Sequence, residues 1–299
     1  MREYSISEKF SLVALDGQNS EHHTTAKKAV VRGIVMAEFL QEMLFDTTEH
    51  TISELSGRIQ QEIQRVKKMK RKERNAAEQK MVQILTAQNV LTKVPDLLGC
   101  DMNYQTASVS MWQYKCDETE YMRIVEGVRA EILESGEVSD DMVCLMYLFR
   151  ECGIMHDIFS VKEQDYVEQR LVSLMMEESL YKAILETEFH SGIDGAYIGF
   201  VKKKHNLFKN PYLQGVNLLF PFLDRRQAIF IDMMILGTNV AGRREATIQF
   251  LREKGHSCED VSLEGEHFIK IENSYYRVWP SARQCKFPIQ GVELLPVYR

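Results

Sequence analysis

The chain has 299 residues, a formal charge of −6, and 44% apolar against 27% charged residues, the balance of a folded globular protein rather than a disordered one. No apolar run reaches the ~18 residues of a spanning helix, and the opening MREYSISEKF has no secretory apolar block, so a cytoplasmic protein without a transmembrane segment is expected. The acidic balance argues against a nucleic-acid partner, and the six scattered cysteines, without C-x-x-C spacing, against a disulfide framework or zinc knuckle.

Ser5–Leu15 alternates imperfectly and suits a strand or a helix, and Gly17, Gln18, Asn19 and Ser20 supply turn chemistry. Thr24 or Thr25 can cap a following helix whose apolar residues Val30, Val31, Ile34, Val35, Phe39, Leu40 and Met43 recur at helical spacing. Thr51 to about Leu91 reads as one long helix or two in sequence. Ile52, Leu55, Ile59, Ile63, Val66 and Met69 lie on one face, which leaves the cationic run Arg65–Arg74 outside. That run, RVKKMKRKER, holds seven cations (Arg65, Lys67, Lys68, Lys70, Arg71, Lys72 and Arg74) and one acid. A helix is expected over Glu118–Ser135 with Gly136 as its left-handed cap, then a buried one over Met142–Cys152 capped by Ser139 or Asp140, then Lys162–Leu174.

Beyond about Phe189 the apolar period shortens. Val216–Phe220, Ala228–Leu236, Cys258–Leu263, Glu266–Glu272, Tyr275–Trp279 and Gly291–Val297 read as strands, and Arg243–Lys254, closed by Gly255, as a helix. The fold class expected is mainly α: a helical domain over 1–195, followed by a small α+β domain over 210–299.

The residues give little sign of an enzyme. Gly237–Arg244 lies between a strand and a helix, but Arg243 and Arg244 stand where a phosphate loop needs lysine and a hydroxyl, so a plain turn is favoured. The histidines form no i,i+4 pair for a metal, and no nucleophile elbow occurs. Neither cofactor nor metal is expected. Tyr275, Tyr276, Trp279 and Pro280 form the richest aromatic cluster, expected mainly in packing.

Two stretches resemble the Golgi phosphoprotein 3 family. The first carries Glu8, Phe10, Leu12, Leu15, Asp16 and Gly17, then Arg32, Gly33, Ile34, Val35, Glu38 and Leu40; the second carries Asp141, Val143, Leu145, Met146, Tyr147, Leu148 and Phe159. The resemblance covers about 1–195 and resembles bacterial-type members. It implies that Ser5–Leu15 is a helix, and that the chain binds the head group of phosphatidylinositol 4-phosphate in a basic pocket built from a Trp, the Arg of Arg-Gly and a spaced Arg pair. Here Arg32 stands at the Arg-Gly position, His23 replaces the Trp, and Arg123 and Arg129 are the nearest candidates for the pair, six residues apart where the family has three. Gly136–Ser139 runs almost directly into Asp140, so the family's membrane-inserting hairpin is missing or very short, and attachment would rest on charge from the Arg65–Arg74 run.

The function expected is therefore recruitment to an anionic phospholipid head group, without catalysis, by a cytoplasmic protein peripheral at a membrane and bound to some further protein partner. The alternative is a cytosolic interaction or regulatory module that keeps the fold without lipid binding.

Overall fold

The computed structural model describes residues 2–19, 27–46, 51–107, 111–189, 228–233, 239–263, 265–284 and 288–297. It is mainly helical with a small antiparallel sheet region. The chain divides into two compact units: unit 1 holds 1–16, 24–92 and 116–203, and unit 2 holds 17–23, 93–115 and 204–299. The expected contiguous division into 1–195 and 210–299 leaves 17–19, 93–107 and 111–115 with the helices, whereas they belong to unit 2. Those stretches carry no long periodic pattern, so only their tertiary partners assign them.

Unit 1 begins with α1 (Ile6–Leu15), where Ser5 and Glu8 form a reciprocal capping box that settles the strand-or-helix ambiguity. It packs against α2 (Lys27–Phe45) and α7 (Asp140–Cys152). Phe10 of α1 stacks on Phe149 of α7 with ring centroids 5.8 Å apart. Gly33 of α2 is the close-approach point, since a Cβ there would stand 2.5 Å from Phe10 Cζ and 2.8 Å from Cys152 Sγ. α7 is capped by Ser139, as expected, and buries every residue from Met142 to Phe149. It ends at Gly153, left-handed at φ 76°.

The stretch from Thr51 resolves into two helices, α3 (Ile52–Lys68) and α4 (Arg71–Ala87), parted at Met69 and Lys70, whose extended backbone lets a second capping arrangement form with Glu73. α6 (Glu118–Leu133) corrects one expectation. Its end is Glu134 in an extended conformation, and Gly136 is not among the glycines of positive φ. Short α8 (Met155–Ile158), α9 (Val161–Glu177) and α10 (Ser179–Leu185) complete the described helices of unit 1.

Strands β1 (Leu91–Pro95) and β2 (Trp112–Cys116), which sequence reasoning missed, pair with each other and carry the chain between the units. Between them, in unit 2, lie a 3-10 turn (Leu97–Cys100) and α5 (Met102–Thr106). The main sheet of unit 2 has the order β3 (Ile229–Asp232), β7 (Pro288–Val297), β6 (Ser274–Gln284), β5 (Glu266–Ile271), β4 (Cys258–Leu263), all antiparallel. With α11 (Val240–Glu253) it encloses a core of Cys100, Ile229, Ile231, Leu251, Ile269, Ile271, Val292 and Leu294. Gly255 closes α11 in the left-handed region, as expected.

β6 runs past Trp279, where the sequence suggested a stop at Pro280. β5 pairs with β6 only over Ser274–Tyr276, so Pro280 lies where β6 has β7 alone as a ladder partner, and a missing N–H is tolerated there. The expected strand Val216–Phe220 lies outside the described residues.

Candidate functional site

The junction of α3 and α4 concentrates positive charge. Arg65, Lys67 and Lys68 occupy the last turn of α3, where cations complement the helix dipole. Lys70, Arg71 and Lys72 then occupy the cap and first turn of α4, where the dipole opposes them and only Glu73 compensates. Three of the seven cations are engaged locally: Arg65 grips Glu62, Arg74 donates to the Met69 carbonyl, and Lys67 has a partner as well. Lys67 is half-buried. Lys68, Lys70, Arg71 and Lys72 are exposed, and none forms an ion pair among the described residues. An open groove of about 810 Å³ runs beside this region, lined by Gly57, Gln60, Gln61, Gln64 and Lys67 of α3 and by Glu186–Glu188.

Arg32 occupies a different environment from the open pocket that the resemblance implies. It is 4% exposed, and its Nη2 donates to the carbonyl oxygen of Lys67 at 2.8 Å. That carbonyl belongs to the last turn of α3, whose oxygens have no partner further along the helix. Arg32 thus ties α2 to the end of α3 beneath the cationic junction.

The other pocket candidates are held apart. Arg123 and Arg129 both lie on α6, but six residues rotate a helix by about 240°, so they leave it on different faces. Arg123 pairs with Glu120 at 2.6 Å and lies over the Tyr4 ring. Arg129 forms a two-pronged pair with Glu163 of α9, at 2.7 and 3.1 Å, and donates to the Ile158 carbonyl. His23 lies outside the described residues.

The Arg129–Glu163 pair has a titratable signature. The Arg129 guanidinium, helped by the Ser160 N–H, pulls the Glu163 carboxyl down from an ordinary 4.5 to about 2. A depressed carboxyl contributes stability that is present above the unfolded value and lost as pH falls through the folded one, here between about 4.5 and 2. Arg129→Gln is expected to return the Glu163 titration, followed by carboxyl carbon NMR, most of the way to its ordinary value. An unmoved titration would place the cause in the α9 cap instead.

In unit 2 the described part of the Gly237–Arg244 stretch, 239–244, serves as a helix start, and Gly237 lies outside the described residues. The Asn239 side chain accepts the Gly242 N–H at 2.7 Å, and buried Arg244 turns to Asp260 at 3.2 Å, so neither is directed at a bound phosphate. The aromatic cluster splits across β6: Tyr276 is in the core, and Trp279 is 54% exposed. Among the described residues no group of three His, Cys, Asp or Glu is placed to hold a metal ion, and no helix is long and apolar enough to cross a membrane.

Comparison of the chain with family models, curated proteins and solved structures returned no match.

Proposed function

We propose that the protein is a non-enzymatic recruitment factor that attaches to anionic phospholipid surfaces through the cationic junction of α3 and α4. The observation that carries this reading is the placement of Lys70, Arg71 and Lys72 against the dipole of their own helix. Each such charge costs roughly 0.3–1 kcal/mol of helix stability, so folding gives no reason for the cluster. An anionic surface does, at about 1 kcal/mol per basic residue. The order of apolar motifs along α1, α2 and α7 supports treating the helical part as Golgi phosphoprotein 3-like, joined to an α+β part of separate role. The burial of Arg32 and the pairing of Arg123 and Arg129 favour attachment by surface charge over a stereospecific head-group pocket.

Co-sedimentation tests this with vesicles that are neutral, phosphatidylserine-containing or phosphatidylinositol 4-phosphate-containing, at low and physiological salt. Wild type is expected to bind both anionic kinds, more weakly as salt rises. Lys68→Glu/Arg71→Glu/Lys72→Glu is expected to lose at least about 3 kcal/mol, two orders of magnitude in partitioning. Arg32→Met is expected to bind like wild type while melting lower. Salt-resistant binding selective for phosphatidylinositol 4-phosphate and lost only in Arg32→Met would replace the junction with a pocket. Binding to no vesicle would leave the protein-interaction module as the function.

A further inference from the structure

The main sheet of unit 2 has two outer strands, β3 and β4, and the fold seals them differently. On β3 the N–H of Phe230 is taken by the Asp101 carboxylate at 2.9 Å. β4 pairs with β5 alone. The Glu272 N–H donates to the Ser257 carbonyl at 3.0 Å, which turns the main chain at residue 257 toward β5. Backbone groups alternate sides along a strand, so those of Cys258, Asp260 and Ser262 point away from β5. Arg252 of α11 meets the Cys258 carbonyl at 2.7 Å, in keeping with that assignment. No described residue takes the backbone N–H or carbonyl of Asp260 or Ser262.

The same outer side carries a groove. One flank of α11, with Ala241, Glu245, Ile248 and Arg252 at helical spacing, faces Asp260 of β4 across an open space of about 790 Å³. α11 has 14 residues and β4 has 6, lengths of about 21 and about 20 Å, so helix flank and strand edge match. A strand laid on this edge would meet the open main-chain groups of Asp260 and Ser262. Its side chains alternate, so every second one would enter the groove. The lining holds three carboxylates, Glu245, Glu253 and Asp260, against the single guanidinium of Arg252. Arg252 is engaged by the Cys258 carbonyl and Asp260 by Arg244, whereas exposed Glu245 forms no ion pair among the described residues. A cationic side chain is the complement of that carboxylate. A second copy of the chain is not, since pairing β4 with β4 would set one acidic groove beside another.

We propose that β4 and α11 form a docking site for an extended segment of a partner protein that carries lysine or arginine at alternate positions. The segment adds to the five-stranded sheet as a further strand beside β4. Its main chain bonds to Asp260 and Ser262, and one of its cations lies against Glu245. Main-chain bonding supplies the affinity, and the acidic groove selects the sequence.

The test uses fluorescein-labelled eight-residue peptides on the full chain, read by fluorescence anisotropy: one alternates lysine with valine, one glutamate with valine. The lysine peptide is expected to bind and the glutamate peptide not to. Hydrogen exchange should show the Asp260 and Ser262 amides unprotected in the free chain and protected with the lysine peptide. Ser262→Pro deletes an outward N–H that the ladder to β5 does not use, so it should melt like wild type and bind about tenfold or more weakly. Glu245→Lys, on an exposed helix surface, should weaken binding about tenfold while leaving the fold intact. A lysine peptide N-methylated at every second residue keeps its charge but cannot form the ladder, and it should not bind. Failure of the lysine peptide to bind, equal binding by its N-methylated form, or edge amides already protected in the free chain would overturn the proposal. So would a Ser262→Pro variant that binds like wild type or melts far below it.

Discussion

Phe10→Ala is expected to destabilise unit 1 by about 3–5 kcal/mol, the range for removing a buried aromatic side chain, and Gly33→Ala is expected to cost far less in that variant than in wild type. Phe10 is fully buried and stacks on Phe149, so its loss opens a cavity among α1, α2 and α7. Gly33 sits against the same ring. In wild type, an alanine Cβ there would meet Phe10 Cζ at 2.5 Å and Phe10 Cε1 at 2.7 Å, well inside contact distance.

Overpacking of this kind costs roughly 1–3 kcal/mol, against a gain of about 1 kcal/mol for replacing glycine by alanine within a helix. With the ring gone, the nearest remaining obstacle is Cys152 Sγ, at 2.8 Å. A double-mutant cycle by urea denaturation should therefore show strong coupling. If the two effects simply add, the close approach of α2 to α1 is not what selects glycine here.

Asp101→Ala is expected to destabilise unit 2 by about 3 kcal/mol or more, because it leaves buried donors without an acceptor. Asp101 is 5% exposed and serves three partners. Its Oδ1 accepts the Asn103 N–H at 2.9 Å, while its Oδ2 accepts the buried Phe230 N–H at 2.9 Å and faces Arg283 Nη2 at 3.4 Å. One carboxylate thus binds the start of α5, strand β3 and strand β6, residues 129 and 182 positions away along the chain.

Asp101→Asn keeps one acceptor oxygen and should lose about half as much, since a hydrogen bond to a charged group is worth roughly 1.5–3 kcal/mol and a neutral one about 1. Hydrogen exchange provides the local readout. The Phe230 amide should lose protection in Asp101→Ala, and equal loss across both units would mean that the effect is global rather than seated at this carboxylate.

Local chemistry determined much of the helical part. Ser5 with Glu8, Thr51 with Glu54, Ser139, and Ser160 with Glu163 each begin a helix, because a capping side chain needs only neighbours three residues away. The cationic run was legible for a similar reason: helical periodicity puts the apolar residues of α3 on one face and its lysines on the other. The break at Met69–Lys70 was less legible, since neither proline nor glycine marks it.

What tertiary structure alone decided concerns residues whose roles depend on distant partners. A guanidinium after an apolar run suits an anion site as well as a carbonyl, and only the arrival of the Lys67 carbonyl over Arg32 shows which contact it makes. Residues 93–115 have no periodic signature, so only their packing in unit 2 assigns them. His256 and Glu272 are separated by 16 positions in sequence. No spacing rule connects them, and they become neighbours only when the α11–β4 turn and the β5–β6 hairpin come together. Sequence thus determined contacts made within a turn or two of helix, where chain connectivity keeps partners close. Contacts between distant segments depend on which surfaces bury together, and only the folded chain decided those.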